Sequence, residues 1–294
     1  MSFLATWLPF GHVRASASAR AAALASARLE ALTSPEGAAT LISAGKQTSG
    51  ALPVKTRALE GALYSSRGRG YARYNEDAAG LFADERGKMY AFALDQAGGL
   101  GGKIRGLASA IAAAKLWQAA RTIATTADPS PSTITREILL AFESAHRTLL
   151  SRGEGEVTTA VMAVVAPDHA MLVNSGDSGA LHFSKRGEPK GATVPQEFDG
   201  ANQGCLKHAI GLEPEGSAPE TYRWTLAPGD WLVLASDGLL DAGLDDKEVG
   251  ALLVESTGAE DAVNRIATTV LRRMGTFRAK PDNLTLIALR VTGG

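Results

Sequence analysis

The apolar positions of this chain fall mostly into short unbroken runs. Residues 61–66 (GALYSS), 78–82 (AAGLF), 89–94 (MYAFAL), 158–166 (TTAVMAVVA), 170–174 (AMLVN), 179–184 (GALHFS), 221–226 (TYRWTL), 231–235 (WLVLA) and 284–291 (LTLIALRV) have the length and side-chain content of strands. A different period appears between them. In 104–125, Ile104, Leu107, Ile111 and Ala114 share one helical face, and in 133–151, Ile134, Ile138, Ala141, Ala145 and Leu149 do the same. Residues 128–131 (DPSP) separate the two, and 245–255 and 260–274 read as two further helices. Short connections such as 84–87 (DERG) and 167–169 (PDH) favour antiparallel neighbours. Helices grouped in pairs favour an α+β layered domain over a doubly wound parallel sheet.

The pattern sharpens at Glu60, which divides the chain into an Ala-rich N-terminal extension and linker, 1–59, and one domain, 60–294. The extension carries Arg14, Arg20 and Arg28 before its first acid, Glu30. That composition fits an organelle transit peptide, and equally an Ala-rich helix over 15–32; we take it as a plain extension of a cytoplasmic protein. A formal net charge of -1 gives no electrostatic pull toward nucleic acid or membrane surfaces. No run approaches the ~18 apolar residues of a membrane span. The one cysteine, Cys205, rules out an intramolecular disulfide and reads as a small packing residue rather than a nucleophile.

Chemistry concentrates where strands end. The run 89–94 hands off to Asp95, then to a glycine-rich loop, 96–102 (QAGGLGG). Asn75-Glu76-Asp77, Gly176-Asp177-Ser178, Ser236-Asp237-Gly238 and Asp282-Asn283 also flank predicted strands. Each motif alone is ordinary turn chemistry. Together they aim several carboxylates at one end of a sheet, where they repel unless a cation neutralises them. Hard oxygen ligands suit Mg²⁺ or Mn²⁺, and no His or Cys spacing points to zinc. Residues 97–104 (AGGLGGKI) approach a phosphate-binding P-loop but have Ala97 and Ile104 where that motif needs Gly and Ser or Thr. No G-x-S-x-G occurs, and His208 sits in no triad context.

The ordered set NED at 75–77, DxxGG at 95–99, TTAV at 158–161, GDS at 176–178, SDGL at 236–239 and DNLT at 282–285 resembles the metal-dependent PPM/PP2C serine/threonine phosphatases in their compact bacterial form. The resemblance covers residues 60–291. It implies a four-layer α-β-β-α sandwich, two antiparallel sheets flanked by helix pairs, in a monomer that acts on a phosphorylated protein. It implies two Mn²⁺ or Mg²⁺ ions and a weaker third. Asp95, Asp237 and Asp282 would hold the first, Asp95 and the Gln96 carbonyl the second, and Asp177 with Asp237 the third. Glu76 and Asp77 would act mainly through metal-bound waters, and a metal-bridging water would attack phosphorus in line. The chain departs from the family at Gln96 (usually Gly), Ala97 (His in some members), Gly179 (usually Arg) and Ala72 (the phosphate-binding Arg). Arg73, one residue later, is the expected phosphate clamp, with Arg69 its competitor. The same departures define an alternative: a catalytically degenerate relative that binds a phosphorylated partner or regulates another protein.

Overall fold

Strands that are apolar at every position need cover on both faces, because successive side chains point to opposite sides. In the computed structural model, β5 (Met89–Leu94) sends Tyr90, Phe92 and Leu94 into one hydrophobic cluster and Met89, Ala91 and Ala93 into another. β11 (Trp231–Ala235) and β12 (Leu284–Val291) divide in the same way: Leu232, Leu234, Ile287 and Leu289 face inward, and Trp231, Val233, Leu286 and Ala288 face outward. The structure describes residues 45–69, 74–97, 105–199, 204–213, 216–276 and 278–293, together with the backbone of 39–42.

Two six-stranded sheets result. The first has the order β1 (Ala39–Ile42), β4 (Ala78–Ala83), β5, β6 (Ala160–Val165), β7 (His169–Ser175), β10 (Glu220–Thr225). The second runs β2 (Leu52–Lys55), β3 (Leu59–Ser66), β12, β11, β8 (Gly179–Phe183), β9 (Pro189–Ala192). Every pairing is antiparallel. The sheets share the inner cluster. The first is covered outside by α1 (Leu107–Thr125) and α2 (Pro131–Arg152), and the second by α4 (Asp246–Val254) and α5 (Ala259–Gly275), with the short α3 (Asp237–Leu240) following β11. This is the expected α+β four-layer sandwich.

Local chemistry sets the helix ends. Ser130 caps α2 by accepting from the Thr133 N–H at 3.2 Å, Pro131 opens it, and Gly153 ends it in the left-handed region. Asp245 and Glu248 form a capping box on α4.

Three strands went unread in the sequence. β1, β2 and β9 are four-residue edge strands, and β2 and β9 are largely exposed, so they carry no alternation to detect. We propose that they move the domain boundary toward the N-terminus. The expected division at 59/60 cuts through β3, whose Leu63, Ala62, Gly61 and Glu60 pair with Leu52, Pro53, Val54 and Lys55 of β2. The expected helix over 15–32 lies outside the described residues.

A chain beginning at residue 60 therefore lacks the edge strands β1 and β2 and the buried Val54. We expect it to aggregate or melt well below a chain beginning at residue 39, since burying one Val side chain contributes about 1.5–3 kcal/mol before strand pairing is counted. Solubility and melting temperature of the two truncations check this. Equal values would place the boundary back at residue 60.

Candidate active site

Strand register brings the acidic motifs together. In the first sheet Ala78 of β4 faces Leu94 of β5, so Asp77 and Asp95 extend the same pairing by one residue at one end. In the second, Ala235 of β11 faces Leu286 of β12, which places Asp237 and Asp282 just beyond the paired ends. Gly179 of β8 faces Ala235, so the turn carrying Asp177 lies at that end as well. The Ser236 hydroxyl donates to Asp77 Oδ2 at 3.0 Å and ties one sheet to the other.

The motif residues that are not acids hold these loops in place. Asn75 Nδ2 donates to the Lys46 carbonyl at 2.7 Å and to Ser65 Oγ at 2.9 Å, while its Oδ1 accepts from the Asp77 N–H at 3.3 Å. Asn283 Oδ1 accepts from the Glu76 N–H at 2.7 Å, and its Nδ2 donates to the Arg67 and Tyr74 carbonyls at 3.2 and 3.1 Å. Thr158 Oγ1 and the Thr159 N–H donate to the Asp95 carbonyl at 2.6 and 2.9 Å, and Thr159 Oγ1 meets Ser178 Oγ at 2.6 Å. Backbone packs on backbone beneath the Asp282 loop: a Cβ on Gly68 would lie 1.7 Å from the Asp282 carbonyl oxygen, and one on Gly238 would lie 1.7 Å from that of Asn283. Only glycine fits at either place, and Gly68 also has φ +70°.

The carboxylates are close enough to perturb one another. Burial, acting with the Asp237 charge against hydrogen bonds from neighbours, raises Asp77 to about 7. Burial and the charges of Asp237 and Asp77 push Asp95 well above the usual carboxylate range, and the hydrogen bond it shares with Asp77 favours the proton on Asp95. Asp177 is raised to about 7 by burial and by Asp237, Glu197 and Asp241. Asp237 is raised to about 6 by burial and Asp282, against the Lys280 ammonium. Glu76 is raised by burial and Asp282 and lowered by Arg105, whose Nη1 lies 3.4 Å from its carboxylate. Asp237 thus links two groups: Asp77, Asp95 and Asp282 on one side, and Asp177, Glu197 and Asp241 on the other.

Arg73, Gly98 and Gly99 lie outside the described residues. Arg69 is exposed and lies against Gly275 at the end of α5. Gln96, expected to act through its carbonyl, also uses its side chain: Oε1 accepts from the Ala108 N–H at 2.9 Å in the first turn of α1. Cys205 is exposed rather than packed. Sequence reasoning missed Lys280, whose Nζ lies 3.0 Å from Asp237 Oδ2 and 3.0 Å from Asp282 Oδ2. Its signal was available, a Lys two residues before the Asp of DNLT. Glu197 and Asp241 were missed because nothing local marks them.

The donor set suits a hard divalent cation: it is all oxygen, and Asp77 Oδ1 and Asp177 Oδ1 are buried without a hydrogen-bond partner. Among the described residues, no three His, Cys, Asp or Glu side chains already stand as a ligand cage. On the Asp237–Asp282 side, one oxygen of each carboxylate turns to Lys280 instead.

The sequence family described as Stage II sporulation protein E (SpoIIE) matches residues 87–292, and the chain belongs to it. Its fold is that of the PPM/PP2C-type phosphatases. A serine/threonine phosphatase of S. agalactiae is similar at TM-score 0.68 and 20% identity, over 79% of this chain and 99% of that one. Serine/threonine phosphatase Stp1 from Staphylococcus aureus gives 0.67 and 21%, over 80% and 96%. The Mycobacterium tuberculosis serine/threonine phosphatase PstP/Ppp gives 0.61 and 20%, over 80% and 99%. These likenesses show the fold. No curated protein matches the sequence. Among the described residues no helix is long and apolar enough to cross a membrane.

Raised carboxyl pKa values mean that the folded, metal-free protein binds more protons than the unfolded chain between the ordinary Asp value of 3.8 and about 7. Their stabilising contribution is complete below the ordinary value and is lost as pH rises through about 7. His182, held below its usual value by burial, opposes this only at the acid end. In EDTA, the melting temperature is expected to fall by about 5 °C or more between pH 6 and pH 8, since 1 kcal/mol is worth about 2–4 °C at this size. A melting temperature that rises over that interval would contradict the uncompensated cluster.

Proposed function

We propose that this chain is a phosphoprotein phosphatase that hydrolyses phosphoserine and phosphothreonine with Mn²⁺ or Mg²⁺. The observation that carries the reading is the carboxylate cluster of Asp77, Asp95, Asp237 and the half-buried Asp282 at the shared end of two sheets, in a chain of this family. Asp95, Asp237 and Asp282 are assigned to one ion, and Asp95 with the Gln96 carbonyl to a second. Asp177 and Asp237 are assigned to a third, with Glu76 and Asp77 acting through water. Such ions, when bound, supply an acidified water as nucleophile and offset the charge of the phosphate. The chain's own part is to hold the oxygens. Thr158 and Thr159 fix the Asp95 main chain, Ser236 orients Asp77, and the Asn283 N–H donates to Asp282 Oδ1 at 2.8 Å. Arg73 is the proposed phosphate clamp, and protonation of the leaving oxygen falls to water, since position 97 is Ala. We propose a monomer in the cytoplasm, with a phosphorylated protein as its substrate.

One observation favours a second reading. Lys280 satisfies two of the carboxylates with the protein's own charge, as a degenerate relative that only binds a phosphorylated partner would allow.

Assay on p-nitrophenyl phosphate and on a phosphothreonine peptide, with Mn²⁺, Mg²⁺ or EDTA, separates the two. Metal-dependent turnover abolished by EDTA is expected. Turnover unchanged in EDTA would sink the metal reading, and no turnover with either metal selects the degenerate one. Asp95→Asn and Asp237→Asn are each expected to lower kcat by ~10³, about 4 kcal/mol of barrier, and to fold, since each relieves carboxylate repulsion. A fully active Asp95→Asn protein would remove that residue from the site.

A further inference from the structure

The acidic cluster contains a cation of its own. Lys280 Nζ stands 3.0 Å from Asp237 Oδ2 and 3.0 Å from Asp282 Oδ2, and among the described residues it has no other partner. Those are two of the three carboxylates assigned above to the first ion. We propose that Lys280 is a built-in counter-cation that competes with the divalent ion for the Asp237–Asp282 pair, so that the ammonium must leave before the metal seats and Lys280 sets the metal concentration at which the site fills. The proposal rests on the metal assignment made under the proposed function.

Three features make the lysine, and not the loop, the part that moves. The backbone of Asp282 and Asn283 is wedged against Gly68 and Gly238, where even a methyl group has no room. The Asn283 side chain adds three hydrogen bonds to that anchorage. Lys280, by contrast, reaches the carboxylates on a flexible four-carbon stem, and its side chain is 58% exposed. Withdrawing the ammonium into water therefore uncovers almost no apolar surface, whereas keeping it would set a unit positive charge beside a divalent ion on the same two oxygens. The two occupants are mutually exclusive on electrostatic grounds. A lysine in this position also accounts for the cluster's asymmetry: Asp77 Oδ1 and Asp177 Oδ1 have no partner, while Asp237 and Asp282 have one without any metal.

The test is Mn²⁺ binding, followed by the EPR signal of the free ion, to the full chain and to Lys280→Gln and Lys280→Ser, together with melting temperatures in EDTA and in Mn²⁺. Both neutral variants are expected to bind Mn²⁺ at least ~10-fold more tightly than the native chain, to melt lower in EDTA, and to gain more from Mn²⁺. Variants that fold only with Mn²⁺ give the same answer, since they show that the lost charge is one a metal replaces. Variants that fold under neither condition overturn the proposal, because Lys280 would then do more than balance charge. Equal affinity in all three proteins overturns it and leaves the metal reading standing. If none of the three binds Mn²⁺, the metal reading falls and the competition with it.

Discussion

Asp77, Asp95, Asp237 and Asp282 repel one another across the end of two packed sheets, and that repulsion has no complete answer among the described residues. Burial removes the water that would screen Asp77, Asp95 and Asp237, so each of these three holds its proton to a higher pH than a free aspartate. Desolvation and like charge act in the same direction here. The protein tolerates the arrangement because the compensations are local. Hydroxyls of Ser236 and Thr285 reach Asp77, a hydrogen bond links Asp77 to Asp95, and an ammonium bridges Asp237 and Asp282.

What keeps the charges in range is the rigidity of the layers behind them. Strands β5, β11 and β12 are buried on both faces, so their ends cannot splay without opening two cores at once. Site geometry then depends on register more than on any loop, because a one-residue slip in β4–β5 or β11–β12 would turn an aspartate away from its neighbour. The segment after β9 adds a further brace: Ile210 bridges Thr158, which in turn bridges Gln96 directly behind Asp95.

The doubly buried strands were legible because their sequences are unbroken apolar runs, and 89–94, 231–235 and 284–291 were read to the residue. The acidic motifs were legible as an ordered set at strand ends. The edge strands were not, since pairing on one side only leaves short polar sequences such as Pro189–Ala192 with nothing to mark them. Lys280 escaped for another reason. A lysine beside Pro-Asp-Asn reads as a solvated turn residue, and its role depends on Asp237, which lies 43 positions away. Electrostatic partners joined only in three dimensions leave no period and no spacing to find. Gln96 shows the same limit from the other side: a residue whose main chain was read as functional turned out to hold the first turn of α1 with its side chain.

The position of β12 governs when the molecule can come into being. This last strand lies between β3 and β11 in the middle of its sheet, and the residues just before it carry Asp282 and Asn283. Asn283 reaches back to Arg67, Tyr74 and Glu76 over separations of 216, 209 and 207 residues. During synthesis, the second sheet therefore waits as two unjoined halves, β2–β3 and β11–β8–β9, until β12 has been made. Contacts of such sequence separation form slowly, and the exposed edges of both halves need protection meanwhile. The same topology ties core to site: a chain cut before Asp282 lacks the central strand and one aspartate together, so it has neither a finished core nor a finished acidic cluster.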